Sequence, residues 1–160
     1  SLNEEKTRLI EFGRFAQSNR KDRGAGKPET FDYLGFTHIC AQRSSDGTFM
    51  LKRFTIAKKQ RAKMRLIKET LMRSRSHHPL KVARWLNRVV QGYFNYFAVP
   101  GNLKALNAFR TQVCQYWMKA LRRRSQKSAC TPWYKLKRLI DRYIPSVRIL
   151  HPYPSQRFGL

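Results

Sequence analysis

Between Thr55 and Ser125 the sequence sets 17 lysines and arginines against one acidic residue, Glu69. Like charge at that density opposes compaction unless an apolar core holds the chain or a polyanion neutralises it. The flanks are milder. Residues 1–54 hold 10 basic and 7 acidic residues, and residues 126–160 hold 7 basic residues and Asp141 alone. Charge therefore suggests a division into 1–54, 55–125 and 126–160. The formal net charge of +25 over 160 residues has no use in an enzyme of small neutral substrates. Nucleic acids, anionic membranes and acidic proteins are the partners it fits. With 41% hydrophobic and 12% aromatic residues the chain can still bury a core and is not a disordered basic tail.

The apolar residues of the basic block recur at helical spacing. Ile56, Met64, Ile67 and Leu71 form one stripe within Thr55–Ser76, with Lys58, Lys59, Arg61, Lys63, Arg65 and Lys68 on the other positions. Pro79 suits the first position of a second helix with Leu86, Val90, Tyr93 and Phe97 inward. Pro100-Gly101 stops it, and Asn102 is a candidate cap for a third helix carrying Leu106, Phe109, Val113, Trp117 and Leu121, which ends in Arg122-Arg123-Arg124. A fourth begins at Thr131-Pro132 with Trp133, Leu136, Ile140 and Tyr143, and Pro145 ends it. The first third reads differently. Thr7–Phe12 is a strand candidate, and residues 18–30, punctuated by Gly24, Gly26 and Pro28, read as a loop. Phe31–Cys40 alternates, with Phe31, Tyr33, Thr37 and Ile39 on one face and Leu34, Phe36 and His38 on the other. Gly35 marks a bulge or a close backbone approach. Ser44-Ser45-Asp46-Gly47 turns the chain into a return strand over Thr48–Phe54. The expected fold class is α+β, a short β part followed by a basic, mainly helical part with a three-helix bundle, a short C-terminal helix and an extended tail.

Self-contained catalysis is not expected. Asp22, Asp32, Asp46 and Asp141 are isolated in sequence, whereas two-metal chemistry needs clustered carboxylates. Glu4-Glu5 read as a solvated surface and His77-His78 as a loop entering the helix at Pro79. Cys40, Cys114 and Cys130 form neither a disulfide framework nor a zinc pattern. No catalytic and no metal residue is assigned, and no cofactor is expected in this chain. No stretch approaches the ~20 apolar residues of a membrane span; charge alone permits binding at a membrane surface, but the helices' apolar faces are needed for the core, so a membrane partner is not expected. The start at Ser1-Leu2-Asn3 reads as the interior of a longer protein, and a reducing cytoplasm is the default compartment. Trp85, Tyr93, Phe94, Tyr96, Phe97, Phe109, Tyr116 and Trp117 offer faces for base stacking. Most fall on the apolar stripes, where a bundle core is the simpler reading.

Four ordered blocks resemble the C-terminal part of bacterial group II intron reverse transcriptases, which double as maturases. Leu2–Thr7 with Arg8–Phe15 is similar to a late palm segment, and Phe31-Asp32-Tyr33-Leu34-Gly35-Phe36-Thr37 to the primer grip. Trp85–Phe97 with Val99-Pro100-Gly101-Asn102 is similar to the thumb, or domain X, and Ile149–Pro154 with Arg157-Phe158 to the family's tail. The resemblance implies that 1–54 is the end of a palm, 55–125 the thumb, and 126–160 a C-terminal helix and tail. It implies that Leu34, Gly35 and Phe36 position a primer strand and that Lys6 lies near an incoming nucleotide, although a surface lysine is the simpler account of Lys6. It implies that intron RNA and an RNA/DNA template–primer are the partners, serving splicing and retrohoming. The gripping cations would be Lys58, Lys59, Arg61, Lys63, Arg65, Lys68, Arg84, Arg88, Arg110, Arg122, Arg123 and Arg124. The family's paired aspartates, which bind magnesium in an RNA-directed DNA polymerase, lie upstream of these blocks. A stand-alone, non-catalytic RNA-binding protein from a decayed intron reading frame is the alternative, and a structural protein of a ribonucleoprotein a third reading.

Overall fold

A computed structural model describes residues 7–153. The chain is α+β and divides into two compact units, Ser1–Phe54 and Thr55–Leu160. The proposed palm residue Lys6 lies outside the described residues.

The first unit holds helix α1 (Ala16–Asp22) and strands β1 (Phe31–Tyr33), β2 (Phe36–Gln42) and β3 (Phe49–Thr55), in the order β1-β2-β3. Three expectations change here. Thr7–Phe12 forms no strand, because no partner strand pairs with it. The segment 18–30 is not all loop. Helix α1 enters it, held by Asn19 Nδ2 donating to Glu11 Oε1 (3.1 Å), an Arg23–Glu11 ion pair, and Ala16 buried beneath. Gly35 is no bulge either. Leu34 (φ 46°) and Gly35 (φ 84°) make a two-residue turn that pairs Tyr33 with Phe36 and Phe31 with His38. Residues directly opposite in a pair share a face, so Phe31, Tyr33, Phe36 and His38 all lie on one side. The Phe31 and His38 rings stack at 4.8 Å, with Phe12 edge-on to Phe31 at 4.8 Å. The β2–β3 turn falls where the sequence places it: Arg43 N–H donates to Thr48 O at 2.8 Å, and the Asp46 carboxylate accepts from the Thr48 amide (3.1 Å) and hydroxyl (2.8 Å). Those two bonds, helped by Arg43, lower the Asp46 pKa.

The second unit is helical: α2 (Ala57–Arg73), a 3-10 turn at Ser74–Ser76, α3 (Pro79–Phe97), α4 (Leu103–Arg122), α5 (Gln126–Ala129) and α6 (Trp133–Tyr143). Pro79 occupies the first turn of α3, where its missing N–H has no helical partner to lose. The buried stripes are Ile67 and Leu71 on α2, Leu86, Val90, Tyr93 and Phe94 on α3, Leu106, Phe109, Val113 and Trp117 on α4, and Leu136 and Ile140 on α6. Spacings of three and four residues make each a single face. Tyr93 and Phe109 stack at 3.7 Å between α3 and α4, and Phe94 meets Phe109 edge-on. Each fully buried large side chain contributes about 1.5–3 kcal/mol. Ile140 and Ile144 enter the same core as α2–α4, so α6 belongs with the bundle. Trp133, expected inward, is 48% exposed because the first turn of α6 projects past the core. A short helix that the sequence did not announce, α5, is closed by reciprocal Ser125–Ser128 bonds.

Asn102 is the polar centre of this unit. It makes no cap bond to α4, contrary to expectation. Fully buried, its Oδ1 accepts from Thr55 N–H (3.2 Å), and its Nδ2 donates to Thr55 Oγ1 (2.7 Å) and Phe97 O (2.9 Å). The side chain thus ties Thr55, two residues ahead of α2, to the end of α3, just ahead of α4. Replacing Asn102 with Ala removes both bonds to Thr55, on its N–H and its Oγ1, and one of the two that Phe97 O accepts, the other coming from Val99 N–H at 2.8 Å. It is expected to lower stability by about 3 kcal/mol in urea unfolding; a loss below about 1 kcal/mol would mean that water replaces the bonds.

Candidate nucleic-acid interface

The two units treat their cations differently. In the first, Arg8 and Arg20 pair with Glu29, Arg23 with Glu11, and Arg43 with Asp46. Among the described residues of the second, the only ion pair is Arg110–Asp141 at 3.9 Å. Lys58, Lys59, Arg61, Arg65 and Lys68 on α2, Arg84 and Arg88 on α3, and Arg123 and Arg124 past α4 are exposed without a carboxylate partner among those residues.

Helical spacing sorts the α2 cations into two flanks of its buried face. Lys59 and Lys63 turn toward α3. Arg61, Arg65 and Lys68 lie on the other flank, where Lys68 Nζ stands 5.9 Å from the Tyr116 ring on α4. Gln60, between the flanks, donates to Ala105 O of α4 at 3.1 Å. The α3-side cations line a recess of about 460 Å³ with Arg88, Val89, Gly92, Tyr93, Tyr96 and Phe97. A second recess of about 230 Å³ is lined by Thr70, Ser74, His77, Lys81, Val82, Trp85 and Arg88. Arg88 forms a wall of both, so they adjoin along the α2/α3 seam.

Two proposed cations also make bonds within the fold. Arg110 donates from Nε to Pro145 O (2.9 Å) and from Nη2 to Ile144 O (3.4 Å), tying α4 to the end of α6. Arg122 donates to Thr131 O (3.4 Å) and is half-buried. Leu34, Gly35 and Phe36 lie in the other unit as a hairpin turn, with Leu34 exposed and Phe36 buried. Sequence reasoning did not single out Gly92, although its place in mid-helix, one turn from Arg88 and one from Tyr96, was a visible signal. It also missed the outer face of α6, where Trp133, Tyr134, Lys137 and Arg138 are exposed.

The described residues do not fit a magnesium centre. Asp32 accepts from Thr37 Oγ1 (2.6 Å), Asp46 closes its turn and Asp141 faces Arg110. Among the described residues no three His, Cys, Asp or Glu side chains gather where they could hold a metal ion, and no helix is long and apolar enough to cross a membrane. Cys40, Cys114 and Cys130 are free thiols, and burial pushes the Cys114 pKa up. No family model, curated protein or solved structure matches the chain.

Burial also raises the Tyr93 pKa to about 12, opposed by the Thr55 side chain. A folded-state pKa above the unfolded value of ~10 means that the unfolded chain loses its proton first as pH rises. Stability from this group is complete below pH ~10 and declines by about 1.4 kcal/mol per pH unit up to about 12. Tyr93→Phe should flatten that part of the alkaline stability profile relative to wild type, as measured by urea unfolding at stepped pH. Parallel profiles would show that Tyr93 ionises as freely folded as unfolded.

Proposed function

We propose that the helical unit binds the phosphate backbone of RNA or of an RNA/DNA duplex, as the thumb part of a group II intron reverse transcriptase/maturase would. The carrying observation is the absence, among the described residues of this unit, of carboxylate partners for its exposed lysines and arginines. An ordinary solvated helix face mixes both signs. A face of one sign, fixed on a packed bundle, matches a polyanion whose counterions it displaces. The resemblance of Trp85–Phe97 and Val99–Asn102 to the thumb signature supports the RNA partner. The hairpin at Leu34-Gly35 falls in the block similar to the primer grip, where an exposed apolar tip suits contact with a strand. The two exposed clusters, on α2 and past α4, suit an extended ligand better than a small anion.

Neutralising the α2 flank that faces away from α3 tests this reading. Arg61→Gln, Arg65→Gln and Lys68→Gln together should weaken binding of a structured intron RNA and of an unstructured RNA alike. The slope of log K against log salt should become shallower by up to about 3, near one per lost phosphate contact. Unchanged affinity and slope would remove α2 from the interface.

A further inference from the structure

Gly92 lies inside α3, among the least favourable places for glycine. Nothing in the fold asks for it. Its φ is not positive, and a Cβ built there meets no atom within 4 Å. The open space above it is the recess between α2 and α3. Along α3, Arg88, Gly92 and Tyr96 follow one another at intervals of one turn on a single stripe, facing Lys59 and Lys63 of α2. Tyr96 is 50% exposed, and its ring stands edge-on to Phe97 at 4.8 Å, which sets its orientation. Val89, Tyr93 and Phe97 complete an apolar floor beneath a basic rim.

We propose that this groove is a site for an unpaired nucleotide of a single strand, with its base against Tyr96, its sugar–phosphate backbone passing over Gly92, and its phosphates met by Lys59, Lys63 and Arg88. The inference rests on the phosphate-binding reading above and adds the kind of nucleic-acid element that is selected. At about 460 Å³ the recess lies in the range that takes one small ligand unit (~300–1,000 Å³). A paired base is stacked within its helix and cannot reach Tyr96, whereas an unpaired base presents its π-face at no unpairing cost. A Cβ at position 92 would stand where the backbone passes, which gives the glycine a reason that the fold lacks. The adjoining recess at Thr70, Ser74, His77 and Lys81 extends the path beyond Arg88, so the strand continues along the seam.

The test uses the whole chain, with a short labelled oligouridine and a blunt RNA duplex of matched charge as probes, followed by fluorescence anisotropy at fixed salt. Tyr96→Ala should weaken oligouridine binding roughly 5- to 100-fold, the worth of one stacked base. Tyr96→Phe should retain it. Gly92→Leu should weaken it at least as much as Tyr96→Ala. Gly92→Ala gives changes of opposite sign: Tm rises by roughly 2–6 °C from better helix propensity, while oligouridine affinity falls. Affinity for the duplex, and the salt slope of duplex binding, should stay near wild type in all four, since no cation is removed and a paired strand does not enter the groove. Unchanged oligouridine binding in Gly92→Leu and Tyr96→Ala, with wild type still binding steeply with salt, would overturn the groove and leave the phosphate reading standing. A wild-type chain that binds neither probe at low salt would overturn both. A glutamate oligomer competing as well as oligouridine would overturn the nucleotide in favour of an acidic protein partner.

Discussion

Everything in the helical unit depends on a contest between like-charge repulsion and one apolar core. From Thr55 onward the chain has 24 lysines and arginines against Glu69 and Asp141. The core answers by drawing on four helices. Trp117, Phe109, Leu86 and Leu106 are wholly buried, and Ile140 and Ile144 close over them from the C-terminal segment. Surface charges separated by roughly a Debye length or more are largely screened at physiological salt. Helical geometry meets that need by spreading the cations over both flanks of α2, the outer face of α3 and the turn after α4. The same spreading leaves a broad surface of one sign with almost nothing to neutralise it from within.

The arginines divide accordingly. Arg110 reaches the carbonyls of Ile144 and Pro145, and Arg122 that of Thr131. The planar fork of Arg110 satisfies two acceptors at once, whereas Arg122 reaches one. Each closes a junction that the apolar stripes leave open, between α4 and the segments around α6. Among the described residues, Lys58, Lys59, Arg61, Arg65, Arg84, Arg88, Arg123 and Arg124 are exposed and have no carboxylate partner, so a phosphate can approach them without first displacing one. A ligand that binds only the folded chain also stabilises it, and a polyanion bound as proposed would do so by removing the repulsion that the core must otherwise oppose.

Much of the helical unit was legible because its stripes are long and regular. Ile67 and Leu71, Leu86 to Tyr93, and Leu106 to Trp117 repeat at three and four residues, a spacing no strand shares. The failures have local causes. Phe31–Cys40 reads as one strand with a bulge or close approach at Gly35, and not as a hairpin, because Leu is an unusual residue for a left-handed turn position, normally filled by Asn, Asp or Gly. The hairpin then reversed the parity of every residue after it and joined Phe31 to His38. Asn102 had the composition of a cap, but its buried amide finds its partners in the Thr55 N–H and hydroxyl and the Phe97 carbonyl and not in the first turn of α4. Trp133 had the right spacing and the wrong height, since periodicity reports direction and not whether a neighbour is present.

The site was legible as a charge and not as a shape. Each cation of α2 could be named from the sequence, but its flank is defined only once Ile67 and Leu71 are buried, and its counterpart across the seam only once α3 lies beside α2. That is why Lys59 and Lys63 meet Arg88 in one recess while Arg61 and Lys68 do not, although all five looked equivalent in a list of basic residues. Gly92 shows the same limit from the other side. In sequence it is a weak position in a strong helix; in the structure it is an opening between a guanidinium and a phenol ring. Charge of one sign draws a polyanion in without regard to its form, so under the proposed reading a preference among nucleic acids would come from features such as this opening, which would admit one conformation of a strand and exclude another.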